Sequence, residues 1–202
     1  TASLAGGDAG AAALLSRLGI PRLDDLPSFL ETLKLLHVTG RLPSNRLASI
    51  SCSGGEASLA ADTGHDLPVV FPPLNETQQT DLRAALGPMV ALANPLDYHT
   101  YIWRDANAMA KAWSAMMTPE IGLTFSIVDY PPENRSDWDC ATEAAIKAYK
   151  TTGQPMAIVT SLPELLPLDV TQTLIDGGVV PMHGLREAIS AAAATTQISA
   201  PE

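Results

Sequence analysis

Cysteine and aromatic residues are scarce in this chain of 202 residues: two Cys, three Phe, three Trp and four Tyr, with aromatics at 5%. Two cysteines exclude a disulfide scaffold, so a buried core must hold the fold together. No run approaches the roughly 18 apolar residues of a membrane span, and the Ala-rich start lacks the basic and apolar regions of a secretory leader. Basic residues are also few. The 12 Lys+Arg stand against 22 Asp+Glu, and a net charge of -10 without a basic patch argues against a nucleic-acid partner. His37, His65, His99 and His183 lie far apart, Cys52 and Cys140 have no partner at ligand spacing, and no His-x-x-x-His pair exists, so no metal site is expected. What is present is 46% apolar and 17% charged, the composition of a globular chain, for which the cytoplasm is the expected location.

Along the chain, residues 1–44 read as two short helices with connectors, over 8–18 and 27–37, ending at the Gly40-Arg41-Leu42-Pro43-Ser44 break. From Asn45 short apolar runs alternate with amphipathic segments, the pattern of a parallel sheet covered on both faces. Strands are expected at 47–52, 67–70, 121–128, 155–160 and 179–182. Helices are expected at 56–63, 76–86, 105–117, 138–152, 168–177 and 185–194. The fold class is therefore α/β: a flavodoxin-like, doubly wound, five-stranded parallel sheet over 45–194, preceded by a short helical segment and followed by a linker tail at 195–202. In such sheets ligands bind beyond the carboxyl ends of the strands.

Three stretches leave those ends. Ser51-Cys52-Ser53-Gly54-Gly55-Glu56 follows the first strand and opens a helix. Its two glycines permit a tight turn whose helical N–H groups make an anion cradle, although a purely structural turn explains it equally well. Glu56 would repel a free phosphate, pair well with an imidazole carrying one, or simply cap the helix. Asn94-Pro95-Leu96-Asp97-Tyr98-His99 concentrates short polar side chains, which an Asx-type turn also accounts for, and His99 reads as a boundary residue more readily than as an acid or base. Asp129-Tyr130-Pro131-Pro132-Glu133-Asn134 is a rigid loop after a central strand. Trp113 and Trp138 read as packing residues, and Cys52 as a buried, inert thiol, although a nearby helix N-terminus would lower its pKa.

Thr1-Ala2-Ser3-Leu4-Ala5-Gly6, then Ile20-Pro21-Arg22-Leu23-Asp24-Asp25-Leu26, Ser53-Gly54-Gly55-Glu56 and Asn94-Pro95-Leu96-Asp97 together resemble the ADP-forming acyl-CoA synthetases, relatives of succinyl-CoA synthetase. Gly177-Gly178-Val179-Val180-Pro181 with Leu185-Arg186-Glu187-Ala188 extends the resemblance to about residue 194. It implies a ligase that interconverts acyl-CoA, phosphate and ADP with a carboxylic acid, CoA and ATP through an acyl phosphate and a phosphohistidine. By that resemblance Ser53, Gly54, Gly55 and Glu56 meet the phosphohistidine. Asn94 and Asp97 line the acyl and phosphate site, and Asp129 and Glu133 help set acyl specificity. The family writes its first motif His-Thr-Gly; here Ala2 replaces the Gly and the nucleophilic His would precede Thr1, so no catalytic residue is expected in this chain.

The resemblance further implies CoA, ATP or ADP, and Mg, bound mainly by partner CoA-binding and ATP-grasp domains, since no dinucleotide-type Gly-rich motif and no ATP-grasp segment is present. Residues 1–44 would be the end of a preceding phosphohistidine-bearing domain, oligomers are possible, and the isolated chain should be inactive. Rival readings are a serine hydrolase with an elbow at Ser53 and partners Asp176 and His183, an N-terminal nucleophile at Thr1, and a non-catalytic α/β binding module.

Overall fold

In the computed structural model, which describes residues 6–133 and 135–199, five parallel strands form one sheet. They are β1 Leu47–Ser51, β2 Leu96–Asp97, β3 Leu123–Ile127, β4 Met156–Thr160 and β5 Val180–His183, in the order β2-β1-β3-β4-β5. The helices are α1 Asp8–Arg17, α2 Leu26–Thr39, α3 Gly54–His65, α4 Glu76–Leu86, α5 Ala106–Met116, α6 Asp139–Thr152, α7 Leu168–Asp176 and α8 Leu185–Gln197. Every residue of β1, β3 and β4 is buried, as continuous small and apolar strands must be when helices cover both faces. Trp113, Met109, Met116 and Leu82 fill the core on the α4–α5–α6 side; Leu35, Phe125, Met182 and Ile189 fill it on the side of α2, α3 and α8. Buried alanines at 141, 144, 145 and 148 let α6 approach closely, and α8 carries a similar row from Ala188 to Ala194.

The edge strand differs from expectation. Residues 67–70 form no strand: only Val70 bridges to Arg46, because Pro68 removes a donor and Pro72-Pro73 ends the segment. The true edge is Leu96–Asp97, pairing Ile50 with Leu96 and Ser51 with Asp97. Asn94 fills the interval between the two. Its Oδ1 accepts from Ser49 N (3.1 Å), and its Nδ2 donates to Leu47 O (2.9 Å) and Pro72 O (3.0 Å).

Two further features frame the sheet. Helix α8 continues past residue 194, where the tail was expected to begin, and Thr195 is buried. Helix α2 lies on α8 and β5, so the segment before residue 45 is packed onto the sheet layer. Among the described glycines Gly122 has the closest neighbour: a Cβ there would sit 1.9 Å from Ser44 O.

Candidate functional site

Strand order reverses between β1 and β3, so the loops leaving their carboxyl ends diverge there, the position at which sheets of this kind form a ligand crevice. From β1 the chain runs into α3 through Ser53, the residue before the first helical turn, whose extended backbone (φ -143°, ψ 132°) starts the helix while its hydroxyl makes no cap. The leading N–H groups of α3, at Gly54 and Gly55, are exposed and without a capping side chain. Glu56 follows in the same turn. Its side chain is half-buried and its Oε2 is out of contact with water and has no hydrogen-bond partner.

That environment makes Glu56 an unusual carboxyl. Burial pushes its pKa up to about 7, the charges of Asp129 and Asp97 push the same way, and the Cys52 backbone N–H opposes them. Asp97, at the end of β2, accepts from His99 N at 2.8 Å, and its Oδ2 lies 3.3 Å from where a Cβ on Gly54 would stand. Asp129, just past β3, is gripped by Ser161 from the end of β4, through Ser161 N at 2.7 Å and the Ser161 hydroxyl. The Cys52 thiol is raised to about 11, first by burial and then by Glu56, so it stays protonated at neutral pH.

The structure thus gathers the Ser53-Gly54-Gly55 turn, Glu56, Asp97 and Asp129 at one end of the sheet. Asn94 is nearby, with its amide engaged by main-chain groups along the edge of β1. Glu133 is exposed on the loop after β3, and Thr1 lies outside the described residues. Ser161 is the residue that sequence reasoning missed; a Ser directly after a strand parallel to the one preceding Asp129 was the available signal. The serine-hydrolase arrangement is not formed. His183 ends β5, roughly 14 Å across the sheet from β1 by strand spacing, and its ring faces Lys34 (2.8 Å) and Glu31 (3.5 Å). Asp176 ends α7, which leads into the opposite, amino-terminal end of β5.

Among the described residues no group of three or more His, Cys, Asp and Glu side chains is placed to hold a metal ion, and no helix is long and apolar enough to cross a membrane. The fold and these residues define a flavodoxin-like α/β chain with an open helix N-terminus and three carboxyls at the switch point of its sheet. No family model and no curated protein matches it. Among solved structures its fold is similar to PH0766 from Pyrococcus horikoshii OT3, with a TM-score of 0.80 and 19% identity over 96% of this chain and 44% of that one. It is also similar to the dinucleotide forming acetyl-coenzyme A synthetase 1 of Ca. Korarchaeum cryptofilum. The apo form gives a TM-score of 0.78 at 18% identity, over 97% of this chain and 42% of that one. The complex with phosphate and ADP gives 0.79 at 17% identity over the same shares. The likeness is one of fold, and this chain spans less than half the length of the chains it resembles.

Proposed function

We propose that this chain is the flavodoxin-like part of an ADP-forming acyl-CoA synthetase and that it receives a phosphorylated histidine at the N-terminus of α3. The observation that carries the reading is the partnerless Oε2 of Glu56 beside the uncapped N–H groups of Gly54 and Gly55. Fold similarity to a synthetase over 97% of this chain supports the class of enzyme. In the reaction, phosphate displaces CoA from an acyl-CoA, the acyl phosphate passes its phosphoryl group to a histidine and releases the acid, and ADP takes that group to become ATP.

This chain's residues bind and orient. The N–H groups of Gly54 and Gly55 donate to phosphoryl oxygens at the positive end of the helix dipole. Glu56 accepts the N–H of the imidazole on the nitrogen opposite the phosphorylated one, which fixes the ring and stabilises the positive charge that the ring gains as it takes the phosphoryl group and loses as it passes the group on. Asp97 and Asp129 repel an anion from the other walls of the crevice, so the phosphoryl group is held only over α3. The loop carrying Asp129 and Glu133 borders the acyl group of a small carboxylic acid, and Asn94 acts by holding β2 and hence Asp97 in place.

CoA, the adenine nucleotide and its Mg belong to further CoA-binding and ATP-grasp domains. Residues 1–44 belong to the phosphohistidine-bearing unit and the sheet to the ligase unit, with the boundary after α8 rather than at 194. On this reading the chain alone does not turn over.

The test is binding of a short histidine peptide, phosphorylated and unphosphorylated, followed by isothermal titration calorimetry. The phosphorylated peptide should bind at least tenfold more tightly, and Glu56→Gln should cost about tenfold, the worth of a charge-assisted hydrogen bond. Equal binding of the two peptides overturns the proposal.

A further inference from the structure

The chain has four lysines, and three of them, Lys111, Lys147 and Lys150, line one hollow. It lies between α5 and α6, on the face of the sheet away from α3, and has a volume of about 470 Å³. None of the described residues that line it is Asp or Glu, although acidic residues outnumber basic ones by 22 to 12 in the chain. Lys111 belongs to α5 and the other two to α6, so no basic patch shows in the sequence; the packing of the two helices creates it.

Pairing within a helix accounts for one of the three. Lys147 meets Glu143 one turn earlier at 2.6 Å and donates to Asn107 Oδ1 at 2.8 Å. Lys111 and Lys150 form no salt bridge among the described residues. Where a partner for Lys111 would stand on its own helix the chain has Asn107, Ala108, Ser114 and Ala115. Three residues before Lys150 stands a like charge, Lys147, which costs stability at that spacing. One carboxylate therefore serves three ammonium groups around one hollow, a conflict that a bound anion relieves.

We propose that the hollow binds a phosphate dianion, either free or as the terminal group of a larger molecule. The two ammonium groups without a carboxylate match its two charges, whereas a single carboxylate would neutralise one of them. Asn107 has its Oδ1 engaged by Lys147, which leaves its Nδ2 to donate, and the hydroxyl of Ser114 adds a donor two turns further along α5.

The volume falls within the roughly 300–1,000 Å³ of small-ligand sites and exceeds what a phosphate fills, which leaves room beside Ala110 for the molecule that carries it. This site is separate from the one at α3. It lies on the other face of the sheet, and it draws its positive field from side chains instead of a helix N-terminus.

NMR of the nitrogen-15-labelled chain, titrated at about pH 8 with inorganic phosphate and with adenosine monophosphate at an ionic strength held constant by chloride, tests this. The amide signals of Lys111, Ser114 and Lys150 should move and saturate with a Kd on the order of 1 mM. Equal affinity for the two probes identifies a free anion as the ligand; tighter binding of the monoester, with the Ala110 signal moving too, identifies an attached phosphate. Lys111→Gln combined with Lys150→Gln should weaken binding at least fivefold and shrink the rise in melting temperature that saturating phosphate gives, while the anion-free variant melts near the native chain. Absence of saturation, movement confined to Gly54 and Gly55, or a double variant that binds phosphate as the native chain does overturns the proposal.

Discussion

At the scale of the residue, Glu56 ties the site to measurable behaviour. Its carboxyl sits at about 7 in the folded chain against an ordinary value of 4.5, chiefly because it is partly withdrawn from water. The fold therefore prefers the protonated acid. The stability this contributes is complete below about pH 4.5 and is lost as pH rises through about 7. Glu56→Gln, neutral at every pH, should match the native chain near pH 4 and exceed it by about 1 kcal/mol at pH 8, a figure kept small by the group's partial exposure to solvent. Urea denaturation at the two pH values reads this directly, and a difference independent of pH would mean that Glu56 does not titrate in this range. Glu56 and the paired glycines were legible in the sequence because a strand-to-helix turn is a local event. Asn94 was singled out as a site residue, but its tie to the edge of β1 was not legible, since its amide bonds to groups 22 to 47 residues away, and neither was the hold of Ser161 on Asp129, 32 residues distant.

At the scale of the element, strands β1, β3, β4 and β5 were legible because burial on both faces demands unbroken apolar and small residues. The helices were legible for a similar reason; α4 starts at a capping box formed by Asn75 and Gln78, a signal contained within four residues. The edge strand was not legible. A strand of two residues has no periodicity, and Leu67 to Val70 looks more strand-like than Leu96–Asp97 until the prolines around it are counted. Packing between elements also places demands that no local pattern reveals. Gly122, just before β3, sits under the Ser44 backbone, and Gly122→Ala would drive a Cβ into a carbonyl oxygen that cannot rotate away. The variant should lose about 2–4 kcal/mol, by separation of the chain entering β1 from that entering β3. A thermal melt checks it, and a melting temperature within a degree of the native value would contradict the assigned contact.

At the scale of the whole molecule, the net charge is -10, so the phosphohistidine site we propose relies on backbone N–H groups for its positive field, and α3 presents such groups at the switch point of the sheet. On the proposed reading the surrounding carboxyls make that site selective, since a free phosphate would meet Glu56, Asp97 and Asp129, whereas a phosphoryl group carried on an imidazole would bring its own partner for Glu56. The chains whose fold it shares are more than twice as long, and the proposed function accordingly leaves CoA and nucleotide to other domains. The most direct measurement is the titration of the Glu56 side-chain carboxyl by carbon-13 NMR, alone and with the phosphohistidine peptide. The account predicts a pKa of about 7 in the free chain, a fall below that value when the peptide binds, and movement of the Gly54 and Gly55 amide signals in the same titration. A carboxyl that titrates near 4.5 in the free chain, or one unmoved by the peptide, would contradict it.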